Sequence, residues 1–192
     1  MLRSRGTSEL AAHRLEVGRM RRRHLRGVMA IERQVYSRPW SPNLFIAEMT
    51  EPNNRCYLVA RADKLVVGYA GMICYGDEAH ITNIAVDPQQ HRRHIGTRLL
   101  LEEMRQAVEM GAQAVSLEVR VTNWGAQRMY GRFGFRPVGI RRNYYQDLNE
   151  DAVIMWSDSI HAPEFKRRFT AILNGFDVAG VGGGPSMEYP SA

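Results

Sequence analysis

The sequence predicts an α/β domain, a sheet flanked by helices, and three observations carry that prediction. Strand-like runs recur along the chain, among them Cys56 to Arg61, Leu65 to Tyr75, Ala79 to Val86 and Ala114 to Arg120. Segments of helical period lie around them, with Arg22 to Tyr36 and Thr97 to Met110 the clearest. The β-branched run His80-Ile81-Thr82-Asn83-Ile84-Ala85-Val86 stops at Asp87-Pro88, and a basic, glycine-containing turn then leads into a helical pattern. A chain of 192 residues at 44% hydrophobic fits one domain with an adequate core.

Each element follows from its residues. Residues 1–12 read as a loose tail, 13–160 as the main domain, 161–176 as an appended helix and 177–192 as a disordered glycine-rich tail. Arg14 to Met20 forms a first strand, because Leu15 and Val17 alternate with Glu16 and Gly18. The helix from Arg22 places Leu25, Val28, Met29, Ile31 (or Glu32) and Val35 near one face. Ser37-Arg38-Pro39-Trp40-Ser41-Pro42 breaks it. Ser41 then N-caps a short helix through Met49, with Pro42 at its first position. Cys56 to Arg61 and Leu65 to Tyr75 pair as a hairpin around Ala62-Asp63-Lys64. The helix from Thr97 carries Leu100, Met104, Ala107 and Val108 at helical spacing and stops at Gly111. In the strand from Ala114, one face holds Val115, Leu117 and Val119; the other holds Ser116, Glu118 and Arg120. Asn123 caps a helix ending at Phe133-Gly134, and Arg136 to Arg142 and Ala152 to Ser157 are the last strands. Phe165, Phe169, Ile172 and Leu173 make the final helix apolar on one side.

Composition excludes several classes. No apolar run approaches the roughly 20 residues needed to span a bilayer. Met1 to Met20 is polar and arginine-bearing, unlike a signal peptide, so a cytoplasmic location is expected. Cys56 and Cys74 make neither a disulfide framework nor a metal cluster, and no metal is expected. Residues 1–33 hold nine arginines and three glutamates, which accounts for the whole net charge of +6. That segment has the charge to attract RNA or a ribosomal surface, but the plainer reading is a solvated helix start. No interleaved aromatic platform supports specific RNA binding.

The turn after Val86 is built like an anion site. The first turn of a helix offers free backbone N–H groups and the positive end of its dipole. A pyrophosphate fits there, with Arg92, Arg93 and Arg98 adding charge. An ordinary connection with solvated arginines accounts for this segment alone equally well. Two later segments decide between them: Ser116-Leu117-Glu118-Val119-Arg120-Val121-Thr122-Asn123, and Asn123-Trp124-Gly125-Ala126-Gln127-Arg128-Met129-Tyr130-Gly131-Arg132-Phe133-Gly134-Phe135. In order and spacing they resemble the GNAT superfamily of acetyl-CoA-dependent N-acetyltransferases, from about Arg14 to Asp158. Within it the chain resembles the ribosomal-protein alanine N-acetyltransferases (RimI-like enzymes). Pro39-Trp40-Ser41, Asn83-Ile84-Ala85-Val86, Leu117-Glu118-Val119-Arg120 and Arg141-Arg142-Asn143-Tyr144-Tyr145 carry that narrower likeness.

The resemblance implies the GNAT fold, with a mixed, mostly antiparallel sheet, and acetyl-CoA as cosubstrate. It implies acetylation of a protein N-terminus, an alanine-starting ribosomal protein above all, by direct attack of the amine on the thioester. The family's pyrophosphate motif, Gln/Arg-x-x-Gly-x-Gly/Ala, falls on His91, Arg92, Arg93, His94, Ile95 and Gly96, followed by Thr97. His91 and His94 depart from it. Glycine at the fourth position permits unusual dihedrals, so His94 must turn its side chain outward or the loop must differ. Main-chain groups of Ile84, Ala85 and Val86 are implied to meet the coenzyme arm and the thioester carbonyl. Glu118 is implied as the base, directly or through one water, and Tyr130 as the acid for the leaving thiolate. Tyr130 follows Asn123 by about two helical turns. Asn123 resembles the family's coenzyme-contacting asparagine and is also a plain N-cap. Trp40, Tyr144 and Tyr145 resemble segments that flank the peptide groove, where packing alone also explains them. For His80 and His161 no special role is expected.

Two rivals share the coenzyme site. A small-amine acetyltransferase would act on polyamines or aminoglycosides and favour an acidic pocket, whereas the segments around Trp40 and Arg141 to Tyr145 are aromatic and basic. A non-catalytic acetyl-CoA-binding or ribosome-associated module would rest on His91, His94 and residues 1–33. Intact Glu118 and Tyr130 speak against it.

Overall fold

The computed structural model describes residues 15–51 and 53–178. In chain order the elements are β1 (Leu15–Arg19), α1 (Leu25–Val35, led in by one 3-10 turn), α2 (Pro42–Met49), β2 (Arg55–Ala62), β3 (Leu65–Tyr75) and β4 (Glu78–Val86). Then come α3 (Ile95–Glu109), β5 (Ala114–Arg120), α4 (Trp124–Arg132), β6 (Arg136–Tyr145), β7 (Glu150–Trp156) and α5 (Pro163–Val178). The seven strands form one sheet in the order β1-β2-β3-β4-β5-β7-β6, with β4 and β5 parallel and every other pair antiparallel. The mixed, mostly antiparallel sheet flanked by helices is therefore as the sequence leads one to expect.

Local signals behave as their chemistry requires. Ser41 Oγ accepts a hydrogen bond from the Leu44 N–H at 3.2 Å, capping α2 ahead of Pro42. Asp63 takes a left-handed φ of 55° in the β2–β3 hairpin. Several boundaries differ from expectation, β7 beginning at Glu150 and α5 running from Pro163 to Val178 among them, and two bear on the site. α3 begins at Ile95, not Thr97, because His94 itself supplies the left-handed residue that precedes the helix. β6 runs on to Tyr145, its register against β7 shifting between Arg141 and Tyr145. Residues 177 and 178, expected in the glycine-rich tail, are instead the end of α5; residues 1–14, with the expected tail 1–12 and Arg14, and the rest of the expected tail, 179–192, lie outside the described residues.

Two apolar clusters sandwich the sheet. On one side α1 and α2 pack Val28, Ile31 and Phe45 against Tyr57, Val59 and Tyr69. Phe45 is completely buried and meets Tyr57 and Tyr69 edge-on, centroids 6.2 and 5.6 Å away. On the other side Leu99, Leu100 and Met104 of α3 join Leu117 of β5, Phe133 and Phe135, and Phe165, Phe169 and Ile172 of α5. His161 Nε2 lies 2.9 Å from the Ala112 carbonyl, just past the C-terminus of α3, while Phe176 reaches His94 at its N-terminus. α5 therefore runs antiparallel to α3 and joins the same core cluster.

One irregularity positions everything that follows. β4 and β5 pair only from Glu78/Ala114 to Ile81/Leu117. Beyond that point they part. On the opposite edge of β4 the register with β3 slips, Met72 facing Ile81 and Gly71 facing Asn83, so that Thr82 is an extra residue. Only glycine fits at 71: a Cβ there would lie 2.4 Å from Tyr57 Cε1 and 2.6 Å from Asn83 Oδ1. The bulge bends β4 away from β5 and leaves one edge of its last residues unpaired with β5.

Candidate active site

Where β4 and β5 part, a cleft of about 310 Å³ opens toward α1 and the α1–α2 loop. Ile84 from β4, Glu118 and Arg120 from β5, Asn123 and Tyr130 from α4, Tyr144 and Tyr145 from β6, and Trp40 all line it. Seven residues expected at a site by sequence are thus brought to one cavity: Ile84, Glu118, Asn123, Tyr130, Trp40, Tyr144 and Tyr145. Ala85 and Val86 are not in its lining; the Ala85 side chain is buried in the core, and only its main chain is left for a ligand.

Glu118 is the electrostatic centre. Its side chain is 9% exposed and sits between His80 and Arg141: His80 Nε2 is 3.1 Å from Oε2, and Arg141 Nη1 is 3.1 Å from Oε1. The hydrogen bond from His80, with the charges of His80 and Arg141, holds the carboxyl below its usual range, against the burial that would raise it. His80 Nδ1 lies 2.9 Å from Ser116 Oγ, so the imidazole is fixed at both nitrogens. This corrects the expectation that His80 has no special role. The parallel register that sets His80 opposite Ser116 puts it beside Glu118, and nothing local in the sequence announces that pairing.

Tyr130 is buried, and burial pushes its phenol well above the usual tyrosine range. At neutral pH it is a proton donor. Asn123 caps α4, its Oδ1 accepting from the Ala126 N–H at 3.1 Å. The Tyr144 and Tyr145 rings meet edge-on at 5.1 Å, with Arg141 over Tyr144 and Arg120 over Tyr145. Burial pushes the Tyr145 phenol up to about 12.

Trp40 is held by a residue whose place on the helix the sequence leaves ambiguous. Glu32 is buried on α1; its Oε2 accepts from the Trp40 N–H at 2.7 Å, and its Oε1 accepts from the Tyr69 hydroxyl. Burial raises its carboxyl, against the hydrogen bond from Trp40. The α1–α2 loop is thereby tied to α1 and β3, and the Trp40 ring packs on Phe45 at 5.3 Å.

The loop from β4 to α3 lies beyond the end of β4. Asp87 Oδ1 accepts from the Gln89 N–H at 2.9 Å, and His91 Nε2 is 3.2 Å from the Val86 carbonyl. Arg92 and His94 both have left-handed backbones, φ 63° and 58°. His94 thus occupies the conformation a glycine would take, with its side chain turned outward and exposed. The helix geometry leaves the N–H groups of Ile95, Gly96 and Thr97 without intrahelical acceptors. Arg92 is exposed beside them, as is Arg93, which donates to Gln90 Oε1. This loop, with the edge of β4 not paired to β5, suits an extended ligand that ends in a pyrophosphate.

Among the described residues no group of three His, Cys, Asp or Glu side chains is placed to hold a metal ion, and no helix is long and apolar enough to cross a membrane. Arg19, Arg21, Arg22, Arg23, Arg26 and Arg33 are exposed.

Comparison with known proteins agrees with this geometry. The acetyltransferase (GNAT) family model matches residues 25–135. A Bacillus subtilis relative, provisionally named ribosomal protein bS18-alanine N-acetyltransferase, is 40% identical over 140 residues, 73% of this chain and 93% of its own. The N-alpha-acetyltransferase RimI of Mycobacterium tuberculosis is 40% identical over 125 residues, 63% of this chain and 77% of its own. Among solved structures, the ribosomal-protein-S18-alanine N-acetyltransferase of Escherichia coli superposes with a TM-score of 0.69 at 30% identity, over 78% of this chain and 97% of that one.

Proposed function

The chain belongs to the acetyltransferase (GNAT) family, and on that premise we propose that it acetylates the α-amino group at a protein N-terminus, that of an alanine-starting ribosomal protein above all. The observation that carries the reading is the union of an ionised carboxylate, Glu118, and a protonated phenol, Tyr130, in one cleft where β4 and β5 part. The relatives' names supply the acceptor, a ribosomal protein with N-terminal alanine.

Acetyl-CoA, the cosubstrate, brings an acetyl group activated as a thioester. The residues that would hold it are the main chain of Ile84 to Val86, the N–H groups of Ile95 to Thr97, the side chains of Arg92 and Arg93, and Asn123. An amine becomes far more acidic once it adds to a carbonyl, so a carboxylate of depressed pKa still takes its proton. Glu118 accepts the proton as the C–N bond forms, and Tyr130 gives one to the sulfur as the C–S bond breaks. No acyl-enzyme is needed: both thiols are buried, and burial pushes Cys74 up to about 11 and Cys56 higher.

The acceptor side favours a peptide over a polycation. Arg38 and Arg120 line the cleft and Arg141 neutralises Glu118, so little negative charge is left to attract a polyamine. Competition tests this. With limiting acetyl-CoA and equimolar Ala-starting peptide and spermidine, the acetyl group goes to the peptide. Preferential labelling of spermidine would overturn the reading.

A further inference from the structure

We infer that α5, which lies outside the residues matched by the family model, is part of the coenzyme site, and that Phe176 is a positioning residue that supports the left-handed turn at His94. The inference rests on the reading that the loop before α3 takes the coenzyme pyrophosphate.

Three observations meet at this point. First, His94 has φ 58° and ψ 17° at the position directly before α3. A side chain other than glycine pays for that conformation, so something outside the residue must favour it. Second, the Phe176 ring meets the His94 ring nearly perpendicular, at 77°, with centroids 6.0 Å apart. His94 as a whole is exposed. Third, Phe176 is itself fixed. The Arg98 guanidinium lies 4.9 Å from its ring centroid, and Arg98 is 7% exposed, with Nη1 donating to the Leu15 carbonyl at 3.3 Å.

The helix is anchored well enough to act as a support. Phe165, Phe169, Ile172 and Phe176 follow at spacings of four, three and four, one face of a helix. The first three are buried in the core cluster to which α3 also contributes. At Phe176 the same stripe is half-buried at the margin of the core and also reaches the loop. Replacing the loop's usual glycine by histidine therefore goes together with a ring, delivered from α5, that packs on that histidine.

The consequence is a population argument. A ligand's apparent affinity falls by the fraction of molecules that hold the competent loop. With Phe176 truncated, the turn relaxes toward right-handed or extended backbone, and about one molecule in ten is expected to keep it. The acid–base pair, Glu118 and Tyr130, is untouched.

The test is titration calorimetry with coenzyme A on four full-length proteins: unmodified, Phe176→Ala, His94→Gly and the double variant. Phe176→Ala is expected to weaken coenzyme binding about tenfold and to raise the KM for acetyl-CoA in step, while kcat at saturating coenzyme and the peptide KM hold. Phe176→Tyr, which keeps the ring, restores the affinity. Glycine adopts φ 58° without support, so in the His94→Gly background Phe176→Ala shifts the dissociation constant less than about twofold. An unchanged constant in folded Phe176→Ala overturns the inference, as does an equal loss in both backgrounds. If Phe176→Ala loses its cooperative melt, Phe176→Leu takes its place in the same cycle, and the same two results overturn the inference. Failure of the unmodified chain to bind coenzyme A defeats the functional reading itself, visibly and before any variant is compared.

Discussion

Replacing Glu118 by glutamine keeps its size and removes its charge and basicity. In the folded chain Glu118 has His80 and Arg141 each 3.1 Å away, and the hydrogen bond from His80 does most to hold its carboxyl low and keep it ionised through the neutral range. The unmodified enzyme therefore has its base ready at every pH at which the fold is used. Glu118→Gln leaves proton removal to water. A positioned general base contributes about 10²–10⁴ in rate, and a loss in that range is expected. An α-amino group titrates near 7.7–8.0, so about one in twenty is neutral at pH 6.5 and about nineteen in twenty at pH 9. Both proteins draw on that same neutral fraction, so their kcat/KM profiles should rise together with pH while staying about 10²–10⁴ apart. The assay is kcat/KM for an Ala-starting peptide across that range, followed by thiol release, with coenzyme A binding measured in parallel to show the site intact. A parallel pair of pH profiles, offset by less than about threefold, would remove Glu118 from the chemistry.

Other expectations follow from the same geometry. Tyr130→Phe should slow transfer about 10²-fold while coenzyme A binds as before; wild-type turnover would exclude the phenol as the acid. His80→Ala removes the hydrogen bond that does most to depress the Glu118 carboxyl. The acid limb of kcat/KM should accordingly move to higher pH, with Arg141→Gln shifting it less in the same direction, and an unmoved limb would detach His80 from Glu118. Glu103 is wholly buried, and neither carboxyl oxygen has a hydrogen-bond partner among the described residues. Burial raises its carboxyl well above the usual range. The folded state therefore holds the proton longer than the unfolded one, and stability present at low pH is lost as pH rises toward the folded value. Glu103→Met should then stabilise the fold by about 1–3 kcal/mol at neutral pH. That corresponds to roughly 2–4 °C in melting temperature per kcal/mol, with the gain shrinking toward pH 4; a lower melting temperature at pH 8 would contradict this.

The parts of the site legible in the sequence are those fixed by local chemistry. Glu118 alternates with Leu117 and Val119 on a half-buried strand, and Asn123 to Tyr130 is a capped helix with a recognisable spacing. The parallel strand order and the bulge at Thr82 come from long-range pairing. Neither is written in a strand's own residues, and His80 gains its place beside Glu118 only through the β4–β5 register. Glu32 is ambiguous in sequence because an acid on an apolar helix face reads equally as an edge residue; its partners, the Trp40 N–H and Tyr69, lie 8 and 37 residues away. The start of α3 reads two residues late for a backbone reason. Histidine at 94 hides a left-handed turn that glycine would have advertised. Phe176 stands in sequence at the end of an appended helix, and only the packing of α5 along α3 shows where its ring goes.

The most direct measurement is to locate the acetyl group. The protein is mixed with acetyl-CoA and peptides bearing free Ala, Ser, Met or Gly N-termini, with N-blocked lysine peptides as controls, and the products are sequenced by mass spectrometry. Acetylation of the α-amine is expected, with Ala-starting peptides preferred and the blocked peptides untouched. Acetyl groups found on lysine side chains alone, or no transfer to any free N-terminus by protein that binds coenzyme A, would contradict it.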